Sequence, residues 1–253
     1  MVDGDRNTTF TLAHLSLDEV SACADVIRGL GRTTEAMEEA AQEIVTYLHE
    51  HLVDVDGRPA AALVRLYKTH PFGELEPDLR EFAVEVAGHE LADDVRCLTL
   101  LGTAGDLPEW TSRHASRGHK AIPLLNEQMI ERLPMVLELL TQLGIDLRVV
   151  VAPGTADVAD LARRSYGVFH VQDVLGSPHI PAQEEFVVPY GIASAVGFGG
   201  VLYTGDLYAV VMFTKVALSA AVAGRLRILA LPIRVPLLRF ARGSVFNPAA
   251  ASA

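Results

Sequence analysis

Cationic and histidine side chains crowd one short segment of the chain. Residues 113–120 read Arg-His-Ala-Ser-Arg-Gly-His-Lys. A guanidinium binds carboxylate or phosphate through two parallel hydrogen bonds. We therefore treat His114, Arg117 and His119 as candidates for clamping an anionic ligand. The alternative interpretation is a solvated surface loop.

Two further histidines stand in a segment rich in aromatic residues. His170 follows Phe169, and His179 lies in Gly-Ser-Pro-His-Ile-Pro. A neutral imidazole in an apolar pocket can ligate haem iron, so His170 or His179 would be the ligand if haem is the cofactor. The alternative is a histidine hydrogen-bonded to the backbone. The spacings 114/119 and 170/179 match no zinc motif, so no other metal site is predicted.

Aromatic residues stand close to the ends of the predicted strands. Trp110 and Tyr190 are candidates for the wall of a ligand pocket, because such pockets combine apolar walls with few polar anchors. Packing in the core or at its rim is the alternative for both.

Residue types that carry catalysis do not form a recognisable pattern. Cys97 falls within a predicted strand, without the electropositive surroundings that activate a thiol. Glu184 and Glu185 would point to opposite faces of a strand, so they are interpreted as strand-start charges or as partners of Arg113 or Arg117. The serine motif G-x-S-x-G is absent. The sequence therefore predicts no catalytic residue and no enzyme.

Composition limits the class of protein. The 253 residues are 50% hydrophobic and carry a net charge of -11, which argues against a nucleic-acid partner. Lys215 interrupts the apolar run near the end, so no membrane partner is predicted. Two isolated cysteines and no secretory signal favour a reduced, cytoplasmic protein. No acid follows Asp206 but six cations do, which indicates either two solvated faces of opposite charge or head-to-tail or intrachain pairing with the acidic first half.

Local signals place helices and strands along the first half. Ser16 with Glu19 predicts a capping box for a helix that ends at Gly31. A second helix starts near Thr34. A strand begins at Leu63, a helix runs from Pro77 to Gly88, and two more strands lie in VRCLTLLGTAG and GHKAIPL.

The second half is predicted to hold a helix over 126–146 that Pro134 kinks or divides, and another over 155–166. The glycine-rich run from 191 to 215 does not fit a phosphate loop, because neither GK[ST] nor G-x-G-x-x-G is present. Two strands joined by a tight turn at 204–206 fit instead. A closing helix follows, which Pro232 and Pro236 bend or end.

This order of elements resembles a GAF domain. LTLLGTAGDLPEW resembles the second GAF strand with its exit loop, SRGHKAIPL the segment returning to the pocket, and YGIASAVGFGGVLYTGDLYAVVMFTK the last hairpin. SAAVAGRLRILALPIRVPL resembles the terminal helix. More narrowly, residues 16–240 are similar to a GAF-like sensory segment found near the front of bacterial PAS-containing sensor histidine kinases.

The resemblance implies an α+β fold, with a central antiparallel sheet flanked by N- and C-terminal helices and an enlarged insert at about 126–186. Residues 1–15 would be a flexible lead, 16–242 a single domain and 243–253 a frayed tail. It implies a non-enzymatic sensor for two-component regulation, in which a small molecule binds in the pocket and a homodimer passes the signal through its helices. A histidine kinase or another output protein would receive it. The alternatives are a haem-based gas or redox sensor and a ligand-free interaction or dimerisation module.

Overall fold

The computed structural model describes residues 7–131, 133–147, 151 and 167–247. The predicted α+β class with a central antiparallel sheet is confirmed. The described strands are β1 (Phe10–Thr11), β2 (Leu52–Val53), β3 (Ala61–Pro71), β4 (Arg96–Gly105), β5 (Ala121–Pro123), β6 (Val168–Val171), β7 (Ser194–Val201) and β8 (Leu207–Thr214). The described helices are α1 (Leu17–Gly29), α2 (Met37–His51), α3 (Pro77–Ala87), α4 (Glu127–Glu131), α5 (Pro134–Gln142), α6 (Ala220–Leu226) and α7 (Ala230–Leu238).

Six strands form the main sheet in the order β5-β4-β3-β8-β7-β6, with every neighbouring pair antiparallel. The glycine-rich run forms the predicted β7–β8 hairpin, in which Ser194 lies opposite Thr214 and Val201 opposite Leu207. At Gly199 a Cβ atom would lie 2.1 Å from the Tyr208 carbonyl oxygen. This glycine therefore allows two strands to approach closely and does not cradle a phosphate.

One face of the sheet, called here the helix face, packs against α1, α2 and α7. Val64 and Leu66 of β3 belong to its core, together with Ile44 of α2 and Ile233 of α7. Because strand residues alternate between faces, Leu63 and Tyr67 point the other way, toward what we call the loop face. The loop face is covered by α5, by segment 174–192 and by part of loop 111–120.

A buried carboxylate fixes the end of the hairpin. Asp206 lies 2.9 Å from Lys68 Nζ and 2.8 Å from Arg96 Nη2. Burial lowers the pKa of Lys68, while the attraction of Asp206 opposes that shift. Thr69 Oγ1 accepts a hydrogen bond from the Leu207 amide at the start of β8. These contacts tie the β7–β8 turn to β3 and β4.

The predicted helix starts and stops are mostly reproduced. Ser16 and Glu19 form the capping box of α1, and Gly88 ends α3 with φ 74°. Pro134 divides its segment into α4 and α5. The second helix begins at Met37, because Thr34 Oγ1 donates instead to the Gly31 carbonyl.

Several expectations are corrected by the fold. Glu184 and Glu185 lie in a π-helical turn, Gln183–Val187, and not at a strand start. Strand β6 was not predicted. The closing segment is broken by a 3-10 turn at Arg227–Leu229, and Pro236 lies inside α7. The predicted helix at 155–166 lies outside the described residues.

Both ends of the described chain pack on the domain. Phe10 and Thr11 pair with β2, and Leu12 and Leu15 are buried, so the predicted lead is packed from residue 10 onward. Residues 244–247 of the predicted tail contact the start of α2. Residues 1–6 and 248–253 lie outside the described part.

Among the described residues, no helix has the length and apolar character needed to cross a bilayer. The apolar run that Lys215 interrupts begins with β8.

Gly102 lets α2 lie directly on β4, because a Cβ atom there would come within 2.8 Å of the Ala41 carbonyl and the Gln42 nitrogen. We predict that Gly102→Ala lowers the free energy of unfolding by about 1–3 kcal/mol in urea denaturation. Gly224→Ala is the control, since no neighbouring atom lies within 4 Å and alanine favours its helix. Equal losses in both variants would contradict this account.

Candidate functional site

Arg65 is a buried cation near the middle of the sheet. It lies on β3 opposite Thr103 of β4 and Val211 of β8, and 8% of its surface is exposed. Nη1 donates to the Tyr67 hydroxyl at 3.2 Å and points toward the Gly118 carbonyl at 3.4 Å, and Nη2 donates to Ser116 Oγ at 3.2 Å. Its side chain therefore extends across the loop face beneath loop 111–120.

No carboxylate pairs with Arg65 within the described ranges. Its acceptors are two hydroxyls and one carbonyl, and Nε has no acceptor among these residues. A buried charge normally has a counter-ion, because desolvation without one costs several kcal/mol. The unmatched guanidinium thus has the chemistry of an anion receptor.

Loop 111–120 brings the sequence-predicted cations to this region. Arg117 and His119 are exposed and stand next to the two loop residues that contact Arg65. His119 has φ 58°, a left-handed conformation that only this non-glycine residue adopts in the described part of the chain. Partial desolvation, with the charge of Arg65, lowers the pKa of His119 and favours its neutral form.

Arg113 anchors the same loop and corrects an expectation. Its guanidinium is buried and donates to Glu38 of α2 and to Glu76 just before α3, instead of reaching Glu184 or Glu185. Burial works to lower the pKa of Arg113, but the two ion pairs outweigh it and raise the pKa. His114, a third of whose side chain is exposed, lies 3.9 Å from the Glu38 carboxylate. Arg113 therefore holds the loop and is not available to a ligand.

The structure brings Trp110 and Tyr190 together, as a pocket wall would require. Their ring centroids lie 4.7 Å apart, and Phe186 lies 5.7 Å from Trp110 and 4.9 Å from Phe213. Phe213 is opposite Leu63, the residue next to Arg65 on the same face of β3. An aromatic cluster (Trp110, Phe186, Tyr190 and Phe213) therefore borders the buried cation.

His170 lies away from this cluster, on the helix face of β6. Its Nε2 is 3.0 Å from the Leu218 carbonyl, which only accepts, so Nε2 carries the proton. Burial lowers the pKa of His170. His179 lies beside α5, with Nδ1 4.0 Å from Glu138. The two candidate haem ligands therefore lie on different faces of the sheet, and Nε2 of His170 cannot bind iron while it donates a hydrogen bond to Leu218.

Two hollows of the described structure lie away from the predicted pocket. One, of about 10 Å³ between α5 and the sheet, has room for about one water molecule. The other is a groove of about 480 Å³ on the outer side of α1 and α2, where Glu39, Glu43 and Glu50 line it without Lys or Arg. Neither is lined by Arg65 or by loop 111–120, so a ligand of Arg65 would have to displace part of that loop.

Neither thiol is poised for chemistry. Burial raises the pKa of Cys23 to about 11 and that of Cys97 to about 12. Both are protonated at neutral pH, and Cys97 belongs to a small core with Phe72 and Leu79, as its sequence position suggested.

Comparison with known proteins gives similarity in fold alone. No protein-family model and no curated protein matches the chain. Two solved structures are similar: free methionine-R-sulfoxide reductase from Neisseria meningitidis in complex with its substrate, and the phycoerythrobilin-bound GAF domain of a cyanobacterial phytochrome. The reductase is 12% identical with a TM-score of 0.43, covering 92% of this chain and 97% of its own. The GAF domain is 13% identical with a TM-score of 0.38, covering 87% and 97%.

The expectation that this chain is not an enzyme is corrected by this comparison. A reductase is among the solved structures that are similar to this chain, so the chain is not assigned to the non-enzymes.

Sequence reasoning missed Arg65, together with its partners Tyr67 and Ser116. The available signal was a charged residue in the middle of an otherwise apolar strand, Ala-Ala-Leu-Val-Arg-Leu-Tyr. The same charge also fits the polar half of an alternating strand, where it would be exposed. Because both faces of this strand are covered, the charge is instead buried within the domain.

The two buried arginines should respond differently to substitution. We predict that Arg65→Gln changes the free energy of unfolding by less than about 1 kcal/mol, because lost hydrogen bonds are offset by removal of an uncompensated charge. Arg113→Gln should cost about 3–5 kcal/mol, since it leaves Glu38 and Glu76 without their cation. Urea denaturation of both variants measures this, and a loss at Arg65 as large as that at Arg113 would assign Arg65 a structural role.

Proposed function

We propose that this chain is a sensory domain that binds a small carboxylate on the loop face, between Arg65 and loop 111–120. The observation that carries the proposal is the buried guanidinium of Arg65, which is surrounded only by neutral acceptors among the described residues. A ligand that supplies the missing negative charge would gain a strong, charge-assisted interaction.

The carboxylate would take the edge formed by Nε and Nη2. Nε has no acceptor in the described part of the chain, and Nη2 has one neutral hydrogen bond to Ser116 Oγ at 3.2 Å. A carboxylate with two parallel oxygens matches that edge and would replace Ser116 as the acceptor. Binding would therefore move Ser116 and the loop that carries it.

The aromatic cluster favours a carboxylate with an apolar or aromatic body. Phe213 lies opposite Leu63, two residues before Arg65 on the same face, and edge-to-face contacts link the cluster's rings. Such a wall stabilises an apolar group by burial and an aromatic one by additional ring contacts. Arg117, on the outer side of the loop, would guide the anion toward the site.

Benzoate binding can be read directly from the fluorescence of Trp110, because the chain has one tryptophan. We predict a change in its emission with benzoate and a smaller effect with acetate, which has the charge without the ring. Benzamide, which has the ring without the charge, should have no effect. Arg65→Gln should reduce benzoate affinity at least about tenfold.

The matched control is Arg58→Gln, which removes an exposed arginine in the turn between β2 and β3. It should leave benzoate binding unchanged. Equal benzoate affinity in the wild-type and Arg65→Gln proteins, or none in either, would refute the carboxylate site. The chain would then be better explained as an interaction module whose loop face is closed by its own side chains.

The signal would leave the domain through a homodimer formed by α7. Leu231 and Val235 of α7, with Ile228 of the preceding 3-10 turn, are about half exposed and spaced by three and four residues, as in the seam of a coiled coil. Their opposite side is also apolar, with Ile233 and Leu237 buried on α1 and α2. Apart from Arg234, α7 carries only apolar side chains, so its exposed side is expected to be covered, and the self-complementary seam favours a second copy of this chain. A histidine kinase or another output protein would read the resulting change.

Disruption of the seam should separate the copies. We predict that Leu231→Glu shifts the mass measured by light scattering from dimer to monomer, because it places a charge in an apolar contact. Val55→Glu changes an equally prominent exposed apolar residue elsewhere and should leave the dimer intact. Wild-type protein that is monomeric at tens of micromolar would refute this interface.

A further inference from the structure

Residues 244–247, Ser-Val-Phe-Asn, form a strap across the start of α2 and the base of loop 111–120. We propose that this strap is releasable and that it controls the affinity of the Arg65 site through Arg113. The proposal rests on the carboxylate site proposed above, and its central step, from strap to loop, is testable without any ligand.

The strap supplies the cap that α2 lacks. The amides of Met37 and Glu38 donate to the carbonyls of Ser244 and Val245, both at 3.0 Å. Ala36, at the N-cap position, has no side-chain oxygen to accept these donors. The first turn of α2 is therefore completed by residues more than 200 positions away.

The Glu38 carboxylate joins the strap to the loop. Its Oε1 accepts from the Asn247 amide at 2.6 Å, and its Oε2 accepts from Arg113 Nε. The Asn247 side chain also donates to Glu39 Oε1 at 2.6 Å, which lowers the pKa of Glu39. One buried carboxylate thus contacts the strap with one oxygen and the loop anchor with the other.

Phe246 makes the second link to the loop anchor. Its ring centroid lies 5.0 Å from the Arg113 guanidinium carbon and 5.6 Å from the His70 ring. A cation over an aromatic face is stabilised, more so where water is excluded. Phe246 therefore covers Arg113 and His70 together.

The same contacts explain why the strap would be releasable. His70 is 1% exposed, and neither ring nitrogen has a hydrogen-bond partner among the described residues, while Arg113 Nη1 also lacks one there. Buried polar groups without partners cost free energy that water recovers when they are uncovered. Opening the strap would hydrate these three nitrogens, which offsets part of the lost capping and ring contacts.

A path of direct contacts leads from the strap to Arg65. Arg113 fixes the loop to α2 and α3, and three and five residues later Ser116 and Gly118 accept from Arg65. Release of the strap would remove one donor from Glu38 and the ring from Arg113, so the loop would be held less firmly. Because a carboxylate must displace part of this loop to reach Arg65, a loosened loop would lower the cost of binding and the affinity would rise. By linkage, an occupied site would favour release of the strap.

Hydrogen exchange followed by mass spectrometry tests the first half of the path without ligand. Phe246→Ala should speed exchange at Met37 and Glu38, and also at Ser116, whose amide donates to Ser112. The control Phe82→Ala removes another partly buried phenylalanine of the same small core, from α3, and should leave Ser116 unchanged. Asn247→Ala, a milder change, should act in the same direction as Phe246→Ala.

Benzoate titration of the same variants tests the second half. Phe246→Ala should strengthen benzoate binding by at least about fivefold, and Phe82→Ala should change it by less than about twofold. In the wild type, benzoate should speed exchange in peptides covering 244–247. Faster exchange at Met37 with no change at Ser116 would make the strap a helix cap alone and overturn the coupling. Absence of benzoate binding with faster exchange at Ser116 would refute the carboxylate site and retain the link from strap to loop.

Discussion

The carboxylate of Glu38 is the contact on which several separate parts of the fold depend. It is 5% exposed, a position that an ionised side chain holds only when cations or donors satisfy it. Arg113 provides the cation and shares its charge with Glu76, so α2, the start of α3 and loop 111–120 meet at one ion group. The second oxygen of Glu38 remains available for the strap. Removal of Arg113 leaves both carboxylates without their cation, so these elements are coupled energetically although they are distant in sequence.

Local chemistry made much of the framework predictable. The capping box at Ser16 and Glu19, the proline and glycine that bound α3, and the break at Pro134 are each decided within a few residues. The glycine-rich hairpin was also predictable, because the sequence lacks both GK[ST] and G-x-G-x-x-G, which a phosphate loop requires. Trp110 and Tyr190 are candidates for a pocket wall because they stand near strand ends in the sequence, and their rings are in contact in the structure.

The features that define the candidate site depend instead on contacts between distant residues. Arg113 meets glutamates 75 and 37 positions earlier, and nothing near it in sequence indicates that it is buried. Arg65 resembled the polar half of an alternating strand, yet its strand is buried along almost its whole length because both faces of the sheet are covered. The aromatic neighbours of His170 suggested a haem ligand, but the pairing of β6 with β7 turns this side chain to the helix face. Hydrophobic periodicity and composition do not determine on which face of the sheet each side chain of an edge strand such as β6 lies.

The combination of good and poor contacts around the strap sets how easily the site can be regulated. Two backbone caps and two bonds from Asn247 favour the closed state, while His70 and Arg113 retain nitrogens without partners under Phe246. A strap with every group satisfied would be too stable for a small ligand to influence. A ligand shifts an equilibrium only by the difference in its affinity for the two states, typically about 1–3 kcal/mol for coupled sites. The incomplete hydrogen bonding beneath Phe246 therefore keeps the two states close enough in free energy for one carboxylate at Arg65 to select between them.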